Sequence, residues 1–190
     1  MSKLLLAITV ISFSFTTLAQ NNQNSKEWFI SIGLNAINSQ GTKSPVSGMG
    51  DWAINIPVSA AVELKWESGL AIEQSVTVNS FAEGDLIDGI VLQEDFSYLS
   101  FDTHVKYYFG KHIFPDVDWL DIYANSGVGF FSIENTNLSF NLGGGLLFWL
   151  NRRQTIGIRA QVIGKLALDH SESGIDNNHF QTHIQAFIAL

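Results

Sequence analysis

The chain contains no cysteine. That absence excludes a disulfide framework, a thiolate zinc site, a thiol nucleophile and the lipid-bearing cysteine of a lipoprotein. Long apolar runs are also missing: beyond the N-terminus no stretch approaches the ~20 continuous apolar residues that a membrane-spanning helix needs. Positive charge is scarce, with 10 Lys+Arg against 18 Asp+Glu in 190 residues and a net charge of −8. Nucleic acid presents phosphates that call for a basic surface, so no nucleic-acid partner is expected.

The first residues read as a processing signal. Lys3 supplies a positive start, Leu4 to Phe15 an apolar run, and Thr17-Leu18-Ala19 a small-residue cleavage site before Gln20. Residues 1–19 are therefore expected to be a signal peptide and residues 20–190 one domain. Without Lys3 the charge of −8 becomes −9.

From Trp28 to Leu190 the sequence alternates. Between Gln154 and Leu168, Ile156, Ile158, Ala160, Val162, Leu166 and Leu168 fall on one parity, and Thr155, Arg159, Gln161 and Lys165 on the other. Successive side chains of a strand point to opposite faces, so one surface is apolar and the other polar. The same pattern predicts strands near 27–36, 52–66, 70–81, 96–109, 119–131, 138–150, 154–168 and 179–190. Between them, polar stretches at 37–51, 82–95, 132–137 and 169–178 alternate with joins at Glu67-Ser68-Gly69, 110–118 and Asn151-Arg152-Arg153. Long outer loops and short periplasmic turns are the asymmetry of an outer-membrane barrel; 110–118 is long for a periplasmic turn and 132–137 short for an outer loop. Aromatic residues fall near both expected interfaces, with Trp28, Trp66, Tyr107, Phe109, Trp119 and Phe148 at one rim and Trp52, Phe81, Phe96 and Phe130 at the other.

Alternation alone does not say which face is inside. A soluble barrel binding an apolar ligand would turn the apolar face inward. About six apolar residues from each of about eight strands would overfill an interior of that size, which is just wide enough for side chains to fill. The polar face is also compact, with Asn125, Gly127 and Gly129 on one strand and Ser139, Asn141, Gly143 and Gly145 on the next. Glu63, Lys65, Glu73, Asp102, His104, Lys106, Asp121, Arg159 and Lys165 all share the polar parity. An Arg or Lys on the lipid face costs ~2–4 kcal/mol at the bilayer midplane, and none is placed there. The expected fold is all-β: an eight-stranded antiparallel up-and-down transmembrane β-barrel.

Three segments carry a family likeness: LDIYANSGVGFF at 120–131, LSFNLGGGLLFWLNRRQTIGIRAQVIGK at 138–165 and HFQTHIQAFIAL at 179–190. They resemble the eight-stranded transmembrane domain of OmpA-like outer-membrane proteins, particularly Bacteroidetes-type versions. The likeness extends loosely over the mature chain and rests on barrel-building patterns. It implies insertion by the barrel-assembly machinery and contact with outer-membrane lipid and lipopolysaccharide in a Gram-negative cell. Two departures stand out. The family often adds a C-terminal peptidoglycan-binding domain, whereas this sequence stops at the last strand. The final residue is usually aromatic, and here it is Leu190, with Phe187 three earlier.

Candidate chemistry is confined to a few clusters. Counting from the turn at 67–68 places Glu63 and Glu73 nearly opposite each other and inward, where like charges repel unless cations intervene. Lys65, Lys106 and Arg159 are expected at similar depth. Glu63, Glu73, Asp102, Lys106 and Arg159 are therefore expected to form a structural ion-pair network across the lumen. A small ion conductance or a catalytic carboxylate pair are the sharper readings of the same residues. His179 and His183 share the inward face but lie ~13 Å apart along the strand, too far for one metal with bonds of ~2 Å. His104 approaches them with no third ligand, so no metal or other cofactor is expected. His170, Ser171, Glu172 and Ser173 suggest the lipid A-modifying barrels, but acyl chemistry needs a base within reach of its nucleophile, and Glu172 stands where that pattern needs Ser. Gly143-Gly144-Gly145 lacks the Lys-Ser/Thr and helix of a phosphate loop, and loop 82–95 lacks the ligand order of an EF-hand. The expected role is structural or surface-interacting, with no catalysis. A closed barrel needs no partner for its edges, so a monomer is expected.

Overall fold

Alternation becomes eight long strands in the computed structural model, which describes residues 26–38, 52–87, 90–169 and 177–190. The wall strands are β1 (Lys26–Asn38), β2 (Val58–Trp66), β3 (Leu70–Phe81), β6 (Phe96–Tyr108), β7 (Leu120–Ser132), β8 (Thr136–Trp149), β9 (Ile156–Ala167) and β10 (His179–Ala189). Each pairs antiparallel with its neighbours, and β1 joins β10 from Phe29↔Ala189 to Asn38↔Phe180, which closes the barrel. Closure satisfies every backbone ladder without an open edge, the condition for strands to cross hydrocarbon. The signal-peptide reading of 1–19 and the His170–Ser173 cluster lie outside the described residues.

Burial assigns the faces. Leu34, Val128, Leu138 and Ile184 on the outer face are each 60% exposed or more, while Arg159 and Lys165 on the inner face are 0% exposed. A soluble barrel would show the reverse, and that alternative is overturned.

Three sequence expectations are corrected. The strand expected over 52–66 begins at Val58, because Pro57 has no N–H to give a ladder. Ahead of it only Ala53 pairs, in an isolated bridge to Ile37. The polar loop 82–95 folds back as a small ribbon of β4 (Leu86–Ile87) and β5 (Ile90–Val91), held by Gly84 N–H on the Leu92 carbonyl at 3.0 Å. This buries Ile87 and Leu92 in the barrel mouth. Phe81 and Phe96 were expected in the outer aromatic girdle. Phe81 is instead buried inside that mouth with Phe96 packed against it, because both share the inward parity of their strands.

The two ends are distinct. At the turn end lie the joins 67–69, 109–119 and 150–155, with a single-turn helix α1 (Gly110–Ile113) in the second. The turn between β2 and β3 needs Gly69: its φ is +83°, and a Cβ there would meet the Tyr108 carbonyl oxygen at 2.7 Å. At the loop end lie the longer connections. Trp28, Tyr107 and Trp119 are exposed around the turn-end rim, where amphipathic rings suit a headgroup layer.

Candidate functional site

The lumen is filled from its walls. The tight turn at 67–69 puts Glu63 directly opposite Glu73. On the far side of β3, the ladder sets Ala71 opposite Lys106 and Glu73 opposite His104, so Lys106 arrives beside both acids. Its Nζ lies 3.0 Å from Glu63 Oε2 and 2.6 Å from Glu73 Oε2. Arg159 crosses from β9, with Nη1 3.1 Å from Glu63 Oε2 and 2.5 Å from Glu73 Oε2. The remaining donors are used as well. Arg159 Nε donates to Gln185 Oε1 at 3.0 Å, Nη2 donates to Ser31 Oγ at 2.8 Å, and the Tyr108 hydroxyl donates to Glu63 Oε1 at 2.7 Å. All four charged side chains are 1% exposed or less. Two acids and two bases make a neutral set, and multiple hydrogen bonds are what let ions persist away from water.

Asp102 stands apart from this set, although the sequence reading grouped it there. Its carboxylate is paired with Lys165 and accepts from Asn141 Nδ2 at 2.8 Å and Ser100 Oγ at 3.1 Å. His104 spans the two clusters: Nδ1 is 3.6 Å from Glu73 Oε1, and Nε2 is 3.3 Å from Asn141 Nδ2. Lys65, expected near the glutamates, instead meets Asp121 Oδ2 at 3.3 Å and lies 3.9 Å over the Tyr108 ring. Asp121 Oδ1 also accepts from Gly110 and Ile122 N–H at 3.1 and 3.0 Å, anchoring the join that holds α1.

Aromatic clusters close both sides of the charged zone, a feature the sequence reading missed. Toward the turn end Phe29 stacks on Phe187 at 4.6 Å, Trp149 meets both, and Tyr108 lies 4.9 Å from Tyr123. Toward the loop end Phe131 stacks on Tyr98 at 6.2 Å, edged by His179, beneath Ile37, Phe81, Ile87 and Leu92. The signal was present: Tyr98, Ser100, Asp102, His104, Lys106 and Tyr108 form one unbroken inward parity. Inward glycines make room for these rings. A Cβ on Gly145 would meet the Tyr123 hydroxyl at 2.5 Å and its ring carbon Cζ at 2.7 Å.

Both carboxylates of the opposed pair are held by the same two cations, Lys106 and Arg159. His179 Nε2 lies 2.7 Å from the Tyr98 hydroxyl, and His183 Nε2 lies 3.2 Å from Gln181 Oε1. Among the described residues no three His, Asp or Glu side chains are placed to hold a metal ion.

No protein-family model and no curated protein sequence matches the chain. Solved structures do. Neisserial surface protein A aligns at a TM-score of 0.52 and 11% identity, over 89% of this chain and 99% of that one. The N-terminal β-barrel domain of Pseudomonas aeruginosa OprF aligns at 0.51 and 11%, over 87% and 100%. The Yersinia pestis outer membrane protein Ail in a phospholipid nanodisc aligns at 0.51 and 17%, also over 87% and 100%. Identities this low speak to fold. With the closed barrel and its outward apolar face, they show that this chain has the eight-stranded antiparallel barrel fold that these outer-membrane proteins share.

Proposed function

We propose that the protein is an integral outer-membrane protein of a Gram-negative cell with a structural or surface-interaction role, and that it neither turns over a substrate nor conducts ions. The observation that supports this reading is the filled lumen: a neutral, hydrogen-bonded set of four charges between two aromatic clusters. An ion moving along the axis would have to displace both clusters and break the ion pairs.

In this reading the turn end faces the periplasm and the loop end faces outward. Segments 39–57, 82–95, 133–135 and 168–178 together hold ten acidic residues and one basic residue, Lys43. The outer surface is therefore strongly anionic, suited to divalent cations that bridge it to lipopolysaccharide phosphates or to cationic partners. Membrane lipid and the assembly machinery are its other partners, and the barrel acts as a monomer.

The test has two steps. Unheated and boiled samples from the outer-membrane fraction should differ in gel mobility, as a detergent-resistant barrel unfolds only on boiling. Planar-bilayer recordings of the folded protein should then show no discrete current steps. Steps that change with Arg159 or Glu73 substitution would identify a channel, and unchanged mobility would remove the membrane reading itself.

A further inference from the structure

The join between β8 and β9 is built more tightly than a solvated turn requires. Gln154 N–H closes it onto the Asn151 carbonyl at 3.0 Å, and Gln154 takes a positive φ of 55°. The Asn151 side chain fastens the exit, accepting from Thr155 N–H at 2.9 Å and donating to Thr155 Oγ1 at 2.7 Å. Gln154 Nε2 donates to the Asp118 carbonyl at 2.8 Å, tying this turn to the long join beside it. The two central positions of this fixed turn are Arg152 and Arg153. Both are exposed, and neither has an ion pair among the described residues.

Beside Arg152, with Arg153 next to it in the turn, opens a cleft of about 590 Å³ lined by Asp118, Trp119, Trp149, Leu150, Asn151 and Arg152. Trp119 is 57% exposed and Leu150 63% exposed, and Trp119 stacks on Phe148 at 6.2 Å. A guanidinium presents a planar fork that suits phosphate oxygens, while a tryptophan at a membrane rim suits the glycerol and upper acyl region of a lipid. The segments of the loop end contain no arginine at all, so phosphate-directed chemistry is concentrated at the turn end. Asp118 would oppose an anion, which places the phosphate on the arginine side of the cleft.

We propose that this cleft is a binding site for an anionic glycerophospholipid of the adjoining leaflet, with Arg152 and Arg153 on the headgroup phosphate and Trp119 and Leu150 against its apolar part. The assignment rests on the membrane reading above. It goes beyond a general aromatic rim because it names one turn and one lipid charge.

The probe is phosphatidylglycerol. The full protein is refolded into vesicles of phosphatidylcholine and phosphatidylglycerol and extracted in mild detergent, and its retained lipid is identified by native mass spectrometry. Phosphatidylglycerol should be enriched over its vesicle ratio by roughly 30-fold, the factor that ~1 kcal/mol from each of two basic side chains at an anionic surface provides. R152S/R153S should return the ratio to that of the vesicle while keeping the gel-mobility shift on boiling. R152K/R153K should retain part of the enrichment, because the charge stays while the paired guanidinium fork is lost. Excess inorganic phosphate should leave the lipid bound, since Trp119 and Leu150 hold its apolar part. Enrichment that survives R152S/R153S, or that is absent from a wild-type protein showing the mobility shift, overturns the site. Loss of lipid to phosphate would reduce it to a plain anion site and overturn the lipid assignment. A wild-type protein without the mobility shift would overturn the membrane reading and this inference with it.

Discussion

Near the turn end of the lumen, Glu63 and Glu73 share Lys106 and Arg159; farther along, Asp102 has one cation, Lys165, and neutral donors from Ser100 and Asn141. Both clusters are neutral and buried, but they fail differently. In the first, two carboxylates face each other across one ladder, so removing a cation leaves one positive charge against two negative ones. In the second, removing the cation leaves a single carboxylate that still accepts two hydrogen bonds. Buried ions are tolerated through their remaining partners, and the number left behind sets the penalty.

Arg159→Leu gives the largest expected effect. It should lower the stability of the lipid-refolded barrel by ~3–5 kcal/mol in urea unfolding, the usual cost of stripping one partner from a buried ion pair. An unchanged midpoint would mean the cluster does not hold the barrel together. Lys165→Met also strips a buried ion pair and should fall at the lower end of that range, about 3 kcal/mol, because Ser100 and Asn141 still donate to Asp102. A loss equal to that of Arg159→Leu would erase the contrast between the clusters.

The lipid face offers the smallest effect. Gln74 and Thr103 sit opposite each other on outward positions of β3 and β6 and bond mutually, Gln74 Nε2 to Thr103 Oγ1 at 2.8 Å and Thr103 Oγ1 to Gln74 Oε1 at 3.1 Å. Thr103→Val alone should destabilise by about 1–2 kcal/mol, since it leaves the amide unpaired. Adding Gln74→Leu should restore stability to near the starting value, because replacing both partners removes the unmet hydrogen bond. A double variant worse than the single would show the amide is satisfied elsewhere.

Much of this was legible before any coordinates. Alternation located the strands to within a few residues, the start of β2 excepted, and the single parity shared by the charged residues separated lumen from lipid. The opposition of Glu63 and Glu73 followed from the turn at 67–69, since a tight hairpin fixes the register of adjacent strands. The same parity also carried Tyr98, Tyr108, Tyr123 and Phe131 inward, but a rim girdle was the competing explanation for aromatics at strand ends. Phe81 and Phe96 sit where such a girdle is expected, yet they belong to the inner mouth. The break at Pro57 was visible as a proline, yet the alternating residues around it suggested a longer strand.

Sequence alone determined the periodic facts: which residues share a face, which neighbours pair across a short turn, and that no charge need meet lipid. Those follow from a side-chain period of two and need no knowledge of the closed shape. Tertiary structure decided which cation reaches which acid. Arg159 meets Glu63 across 96 residues of chain, Asp102 pairs with Lys165, and Lys65 turns away to Asp121. Each of these pairs joins strands that are not hydrogen-bonded neighbours. Their meeting depends on strand tilt and stagger around the whole circumference, and only closure of the barrel sets those quantities.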